Sequence, residues 1–246
     1  MTAIPAPAGT QYGRRQADIY DAVYGSRGKD WSAEADTVAA LVRSRCPDAT
    51  SVLDVACGTG NHLRRLVELF DRADGLELSV PMGDIARAKV GWERVHTGDM
   101  RGFDLGRVYD AVLCMCFSIA YATSTDELCA TLRCLAAHTA PDGVVVVEPW
   151  WFPERFRHGY VTASAVVQDG RAITRLSHSV RDGDTSRMTI RYTVADAEGI
   201  EDFTECEVHS LFTRDQYLTA FDDAGLRAEY REGGPSGRGL FVAAHG

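Results

Sequence analysis

The sequence predicts an α/β fold: a doubly wound, mostly parallel sheet with an inserted antiparallel β-sheet. Three observations carry this. Between residues 51 and 148, runs suited to buried strands alternate with helical runs, the pattern of a parallel sheet covered on both faces. From about 158 to 212, apolar and polar residues alternate with period two, as in antiparallel strands with one wetted face. After residue 213 a helix signal returns, followed by two more strand runs. The length, 246 residues, suits one large domain carrying an insertion. Residues 12–157 and 213–246 are therefore expected to form the α/β domain, 158–212 the inserted sheet, and 1–11 a loose arm.

Taken in order, residues 12–24 and 32–46 read as helices. Val38, Leu41, Val42 and Cys46 share one face of the second, and Pro47 ends it. "SVLDV" (51–55) reads as a strand leading into a helix over 60–70. A strand over 73–78 ends at Glu77-Leu78, and Pro81 suits the first turn of a helix over 81–89. A strand over 92–97 stops before Gly98-Asp99-Met100. "VYDAVLCMC" (108–116) is nearly all apolar, as a central parallel strand should be, and places Cys114 and Cys116 on one face. A helix over 125–139, the turn Pro141-Asp142-Gly143 and the strand "VVVVE" (144–148) complete this half.

In the insert, "SRMTIRYTV" sets Met188, Ile190, Tyr192 and Val194 against Arg187, Thr189, Arg191 and Thr193. Similar strands are expected over 160–167, 171–180 and 200–212, separated by turns at 168–170, 182–184 and 198–199. "TRDQ" (213–216) is a capping box opening a helix that Gly225 ends, and the last two strands flank "GGPSGRG" (233–239).

A formal net charge of −9 argues against nucleic acid and anionic membranes as partners. The seven cysteines make no CxxC pair, so no metal site is expected, and they read as free thiols of a reducing cytoplasm. "MTAIPAPAGT" has neither the basic region nor the apolar run of a signal peptide, and no segment is long enough to span a membrane. A cytoplasmic protein is expected. The assembly is left open, with a homodimer among the options.

The glycine turn in "SVLDVACGTGNH" (51–62) is the first candidate site, and three ligands compete for it. A phosphate loop needs a lysine after its glycines, but Asn61 and His62 follow. A dinucleotide loop needs a third glycine, but Leu63 stands in its place. Asp54 before the turn repels a diphosphate and suits a cationic ligand such as S-adenosyl-L-methionine, while Gly58 and its small neighbours allow close backbone approach. Glu77 ends the next strand where a ribose-binding carboxylate is expected, which a dinucleotide enzyme would share. Asp99 follows the third, placed to accept from an adenine amino group, with Met100 beside the ring.

With these residues in view, "LDVACGTG", "GLELS" and "GDM" resemble the cofactor motifs of class I S-adenosylmethionine-dependent methyltransferases, whose fold is Rossmann-like. "GKDW", "GDMR", "PDGVVVVEPWWFPE", "RLSHSVR" and "GGPSGRGLF" narrow the resemblance to the sugar N-methyltransferases of macrolide biosynthesis, from about Tyr12 to Phe241. Those enzymes dimethylate the 3-amino group of dTDP-3-amino-3,6-dideoxyhexoses, precursors of desosamine and mycaminose. The resemblance implies a cofactor set of Tyr20, Ala56, Glu77, Leu78, Asp99, Met100 and Met115. It places Tyr12 near the sugar amine, Tyr121 at a position held by histidine or tyrosine, and Arg238 in the nucleotide-sugar site. Trp31 departs from a frequent tyrosine, leaving an indole N–H as the available donor.

The expected reaction is in-line methyl transfer governed by positioning, since a sugar amine is partly neutral near neutrality and a tyrosine of ordinary pKa about 10 is a poor base. The two phosphates of a dTDP-amino sugar need cationic or N–H partners, and Arg175, Arg181, Arg238 and the Ser236 loop are the candidates. On an extended chain Trp150 and Trp151 point opposite ways, Trp151 lining the sugar pocket, with Glu148 facing the site and His178 as a further substrate contact. The rivals are another small-molecule N- or O-methyltransferase, a nicotinamide oxidoreductase and a silent binding module.

Overall fold

The computed structural model describes residues 12–246, so the arm expected over 1–11 lies outside the described residues. Two helices come first, α1 (Arg14–Ser26) and α2 (Trp31–Arg45), the latter capped by the Asp30 carboxylate accepting from Ala33 N at 3.0 Å. The alternating half follows as β1 (Ser51–Val55), α3 (Asn61–Leu69), β2 (Arg72–Glu77), α4 (Val80–Val90), β3 (Val95–Thr97), β4 (Tyr109–Cys114), α5 (Thr125–Ala137) and β5 (Thr139–Val147). Four long strands come next: β6 (Tyr160–Gln168), β7 (Arg171–Asp182), β8 (Thr185–Asp196) and β9 (Gly199–Ser210). The chain ends with α6 (Arg214–Asp223), opened by the Thr213–Gln216 capping box, and with β10 (Leu226–Arg231) and β11 (Leu240–His245).

The main sheet runs β10-β11-β5-β4-β1-β2-β3, parallel from β5 to β3, with β11 antiparallel to both β5 and β10. Alternate residues of its strands feed two cores. Leu53, Val55, Val145 and Val147 pack with α5 and α6 residues such as Leu128, Leu132 and Phe221. Val52, Leu113, Val144 and Val146 pack with Val38 and Val42 of α2 and Leu63 and Leu66 of α3. That period-two split is what winds the sheet on both faces. The second sheet is antiparallel in the order β6-β7-β8-β9. Its inner face carries Ile173, Ile190, Tyr192 and Val194, which bury Ile19 and Val23 of α1. Each such aliphatic side chain contributes about 1.5–3 kcal/mol by leaving water. The helix is thereby held with Tyr20 and Tyr24 facing the gap between the sheets.

Three local expectations are corrected. The strand expected over 92–97 begins only at Val95, because Gly91 at φ +104° reverses the chain and Trp92–Arg94 coils into a single 3₁₀ turn. The strand expected to reach residue 116 stops at Cys114, and Cys116 and Phe117 adopt left-handed φ angles of 54° and 55°. Glu148 holds that turn: its backbone N donates to Cys114 O at 2.9 Å and its Oε2 accepts from Cys116 N at 2.8 Å. Cys114 and Cys116 therefore do not share a strand face. The strand expected at 144 begins at Thr139 and carries the Pro-Asp-Gly turn as a register shift against β4. No helix among the described residues is long and apolar enough to cross a membrane.

Candidate active site

Two cavities adjoin between the sheets. The first, about 600 Å³, lies over the carboxyl ends of β1, β2, β3 and β4. The second, about 920 Å³, is walled by α1, the inner face of the second sheet and the loop before β11. Tyr20, Tyr24, Cys116 and Phe117 line both, so the left-handed turn after β4 forms their shared sill.

The glycine turn builds one wall of the first cavity. Gly60 sits at φ +75°, and a Cβ there would meet the Ala86 Cβ at 2.8 Å, so glycine lets α3 lie against α4. Glu77 ties the turn to β2, its Oε2 accepting from Gly58 N at 2.8 Å and its Oε1 from Ser79 N at 2.7 Å. Each oxygen keeps a second lone pair, which suits a diol. Burial raises the Glu77 carboxyl, with these backbone bonds opposing. Asp54 is 2% exposed, and its Oδ2 is buried without a hydrogen-bond partner. Burial pushes its pKa up to about 6, against the pull of His62. An unpaired buried carboxylate oxygen lining a cavity favours a cationic ligand group. Ala56, Leu78, Met100 and Met115 line the same cavity, as do Trp31 and Tyr20.

Asp99 lines the same cavity but is not free of partners. Arg101 grips it through Nε to Oδ1 at 2.9 Å and Nη2 to Oδ2 at 2.6 Å, and reaches Glu127 at 3.2 Å. This side-chain pairing lowers the Asp99 pKa, and part of the carboxylate's acceptor capacity is already used. The grip also fixes the carboxylate at the mouth of the cavity.

At the far end of this cavity the Tyr12 and Tyr121 hydroxyls are hydrogen-bonded at 2.8 Å. The second cavity holds Arg238, half-buried, with its guanidinium carbon 4.6 Å from the Trp150 and Trp151 ring centroids and 4.7 Å from that of Phe117. Its Nε is buried without a partner, and among the described residues no carboxylate pairs with it. The loop carrying it is closed by Gly239 N donating to Gly233 O at 2.7 Å and Tyr230 Oη donating to Arg238 O at 2.7 Å. A Cβ on Gly239, at φ +87°, would lie 2.3 Å from that Tyr230 hydroxyl, so only glycine fits. Arg175 and Ser236 line the cavity as well. Arg175 is 2% exposed and donates to Ser177 Oγ at 2.9 Å, and its Nε and the Ser236 Oγ lack partners.

Four expectations about the second cavity change. Trp150 and Trp151 do not point opposite ways; they lie past the end of β5, and both rings stack on Arg238. Glu148 is 1% exposed and lies beneath the sill, bracing Cys116, instead of facing either cavity. His178 is exposed, because the β7 register turns Arg175, Ser177 and Ser179 inward and its own side chain outward. Arg181 is exposed too and donates to the carbonyls of Gly183 and Pro153 at 2.9 and 3.2 Å.

Several cavity groups had no clear sequence signal. His62 Nε2 lies 2.9 Å from Glu34, which also accepts from Lys29 at 2.7 Å. Burial opposes the charged form of His62, but Cys116, Glu34 and Asp54 outweigh it and raise its pKa. His62 on one side and Asp54 on the other suit both ends of an amino-acid zwitterion. Tyr24 follows Tyr20 by one helical turn, a spacing that does mark it for the same face. Glu207 and His209 are buried on β9 behind the tyrosine pair.

Residues 52–143 match the methyltransferase domain family. The chain is 53% identical over 237 residues, 96% of its length and 95% of the relative's, to dTDP-4-amino-2,3,4,6-tetradeoxy-D-glucose N,N-dimethyltransferase of Saccharopolyspora spinosa. This chain belongs to the S-adenosylmethionine-dependent methyltransferases. Among solved structures, DesVI of Streptomyces venezuelae superposes with a TM-score of 0.92 at 50% identity, covering 96% of this chain and 100% of that one. CalS10 of Micromonospora echinaspora, an amino pentose methyltransferase with S-adenosylmethionine bound, gives 0.86 at 45% identity over 93% and 97%. S-adenosylmethionine is accordingly the cofactor of this methyltransferase. The unpaired Asp54 oxygen, the free lone pairs of Glu77 and the apolar Leu78, Met100 and Met115 match its ammonium, ribose and adenine in kind.

Proposed function

We propose that this methyltransferase adds two methyl groups to the amine of a dTDP-linked amino-deoxyhexose in the biosynthesis of an antibiotic or similar natural product. One observation carries the substrate class: Arg238, an unpaired guanidinium clamped by three aromatic rings in a cavity that adjoins the cofactor's. A diphosphate is the ligand such a group satisfies. The relatives support the amino sugar, since their names give dTDP-amino sugars with the amine at position 4 in one and position 3 in others.

When bound, S-adenosylmethionine supplies an electrophilic methyl on a positively charged sulfur. The chain's own part is to bind and align. Asp54, Glu77 and Trp31 fix the cofactor's polar ends, and Ala56 and Gly58 let the backbone approach it. Arg238, Arg175 and Ser236 take the diphosphate in the second cavity. The sugar then reaches across the sill of Cys116 and Phe117, and its amine meets the Tyr12–Tyr121 pair. Such alignment supplies up to about 7–11 kcal/mol of the barrier in favourable cases. Residues 158–212 act as the substrate unit on this reading, and residues 12–157 with 213–246 as the cofactor unit.

The test is incubation with S-adenosylmethionine and a set of dTDP-amino sugars, followed by mass and nitrogen NMR. Gain of two methyls on nitrogen supports the reading. Methylation at oxygen, or turnover only of an acceptor lacking a diphosphate, sinks it. A homodimer is one assembly in keeping with this reading, supported by β6, an edge strand that leaves Val161 and Val167 62% and 82% exposed; sedimentation checks it.

A further inference from the structure

We propose that Tyr121, Tyr12 and Glu207 form a proton relay that clears the amine before each methyl transfer. The inference rests on the amino-sugar reading above. It starts from a chemical need: each transfer leaves the nitrogen as an ammonium, which has no lone pair for a second methyl until it sheds a proton.

The structure places a route for that proton behind the amine pocket. Tyr121 and Tyr12 share a hydrogen bond of 2.8 Å, and both line the first cavity. Glu207 is packed behind this pair, near enough for the Tyr12 hydroxyl to favour its charged form, although the Tyr12 hydroxyl's hydrogen bond in this structure is to Tyr121; the relay requires the hydroxyl to turn toward Glu207. Glu207 is only 4% exposed, and Gln16 Nε2 holds its Oε1 at 3.0 Å from across the sheet–helix seam. The other charged and titratable groups around Glu207 are Arg175 from β7, Tyr192 from β8, Tyr20 and Tyr24 from α1, and Glu205 and Cys206 on its own strand. Burial raises the Glu207 carboxyl despite the pull of Arg175, making it a better acceptor near neutrality. Burial also keeps the Tyr12 and Tyr121 hydroxyls protonated. They therefore hand a proton along without ionising.

The step balances. One proton of the ammonium passes to the Tyr121 oxygen, the Tyr121 proton to the Tyr12 oxygen, and the Tyr12 proton to a Glu207 oxygen. The N–H electron pair stays on nitrogen as the lone pair. The proton returns to solvent by the reverse path when each methylated product leaves, the monomethyl amine included, so Glu207 is empty again before the next transfer. Glu207 acts through Tyr12 and does not touch the amine, so it is a positioning residue with a proton-holding role.

Glu207→Gln keeps the shape and the contact with Gln16 but cannot accept the proton. The expected result is turnover reduced about 100-fold at about pH 7 and recovering to within about threefold at about pH 9.5, where the amine arrives neutral. The KM for S-adenosylmethionine stays unchanged. Tyr12→Phe breaks the same chain at its middle, so it shows the same pH rescue even if Glu207→Gln folds poorly. A readout independent of turnover is the infrared difference spectrum on adding amino sugar to the S-adenosylhomocysteine complex, in which a protonated-carboxyl band appears in the wild type and is missing in Glu207→Gln. Wild-type turnover combined with a pH-independent loss in both variants, or with no such band, overturns the relay alone. Absence of wild-type turnover with every dTDP-amino sugar overturns the functional reading and the relay with it.

Discussion

Replacing Arg238 with alanine tests the substrate cavity most directly. The guanidinium is held against Phe117, Trp150 and Trp151 at 4.6–4.7 Å. That attraction is present with and without substrate, so it cancels from the binding energy. Two features then set the size of the effect. Among the described residues no carboxylate pairs with Arg238, so losing it relieves no competing ion pair. The rings have already ordered the side chain, so little entropy is lost when a phosphate arrives. Truncating one partner of a desolvated charge pair costs about 2–5 kcal/mol. With a diphosphate also served by Arg175 and the loop N–H groups, about 3 kcal/mol is expected, roughly 100-fold in Kd. Calorimetric titration of dTDP-amino sugar into the S-adenosylhomocysteine complex measures it, and S-adenosylmethionine binding measured alongside should move less than about twofold. Arg238→Lys keeps the charge but not the flat stacked face and should fall between the two. A loss of cofactor affinity in step with sugar affinity, or a sugar Kd within about threefold of wild type, refutes the assignment of this cavity to the diphosphate.

Asp54 has its pKa pushed up to about 6, so it loses its charge as pH falls through that value; cofactor Kd should rise about tenfold per pH unit below it, and Asp54→Asn should bind weakly with no such slope. Ala56 sits at φ 59°, a left-handed conformation that costs a residue with a Cβ about 1–2 kcal/mol; Ala56→Gly, after the added chain entropy, should raise Tm by about 0–3 °C in a thermal melt and not lower it. His209 is fully buried with both ring nitrogens unpaired, and burial with the nearby Arg238 lowers its pKa to about 3. The unfolded chain therefore binds a proton that the folded one refuses, and His209 costs stability progressively as pH falls from about 6.5 toward 3, up to about 4–5 kcal/mol. His209→Phe, which keeps the stack on Trp150, should flatten the acid limb of the melting profile; an unchanged limb sinks this account.

What could be read from the sequence was whatever a short window encodes. The position of Asp54, with no lysine and no third glycine after it, separates a cationic ligand from a phosphate within twelve residues. The capping box at Thr213 and the alternation in β8 are equally local. The misreadings arise where tertiary contacts set the backbone. Nothing in "LCMCFS" signals that Cys116 and Phe117 turn left-handed, because the turn is held by Glu148, 32 residues away. The strand-based rule for Trp150 and Trp151 failed for the same reason, since the chain has already left the sheet. Part of Asp99's acceptor capacity is taken by Arg101, which lies only two residues on but reaches it by folding back over the carboxylate. Glu207 and Gln16 could not be paired from sequence at all: their contact spans 191 residues and exists only because α1 docks on the second sheet.

The two sheets divide the chemistry unevenly, and the β7 register says where acceptor choice resides. On the proposed function, the parallel sheet supplies the cofactor's contacts through strand ends, where a change of one loop residue alters one contact. On the same reading, the antiparallel sheet supplies the acceptor's contacts through alternate residues of long strands. Arg175, Ser177 and Ser179 face inward because Arg175 pairs with Ser164 and Tyr192 in the ladder. A slip of one residue would send all three to solvent and bring Leu176 and His178 inward instead. Such a slip is resisted by Ile173, which would leave the apolar seam with Ile19 and Val23 at the same moment. The apolar contact that seats α1 therefore also fixes the polar lining of the sugar cavity. Because α1 carries Tyr20 and Tyr24 to the sill, one packing interface would, on the proposed function, set both the cofactor's distance from the acceptor and the acceptor's polar environment. Substrate preference should accordingly respond to substitutions at buried Ile19 and Val23, which touch neither ligand, as strongly as to many substitutions in the cavity wall.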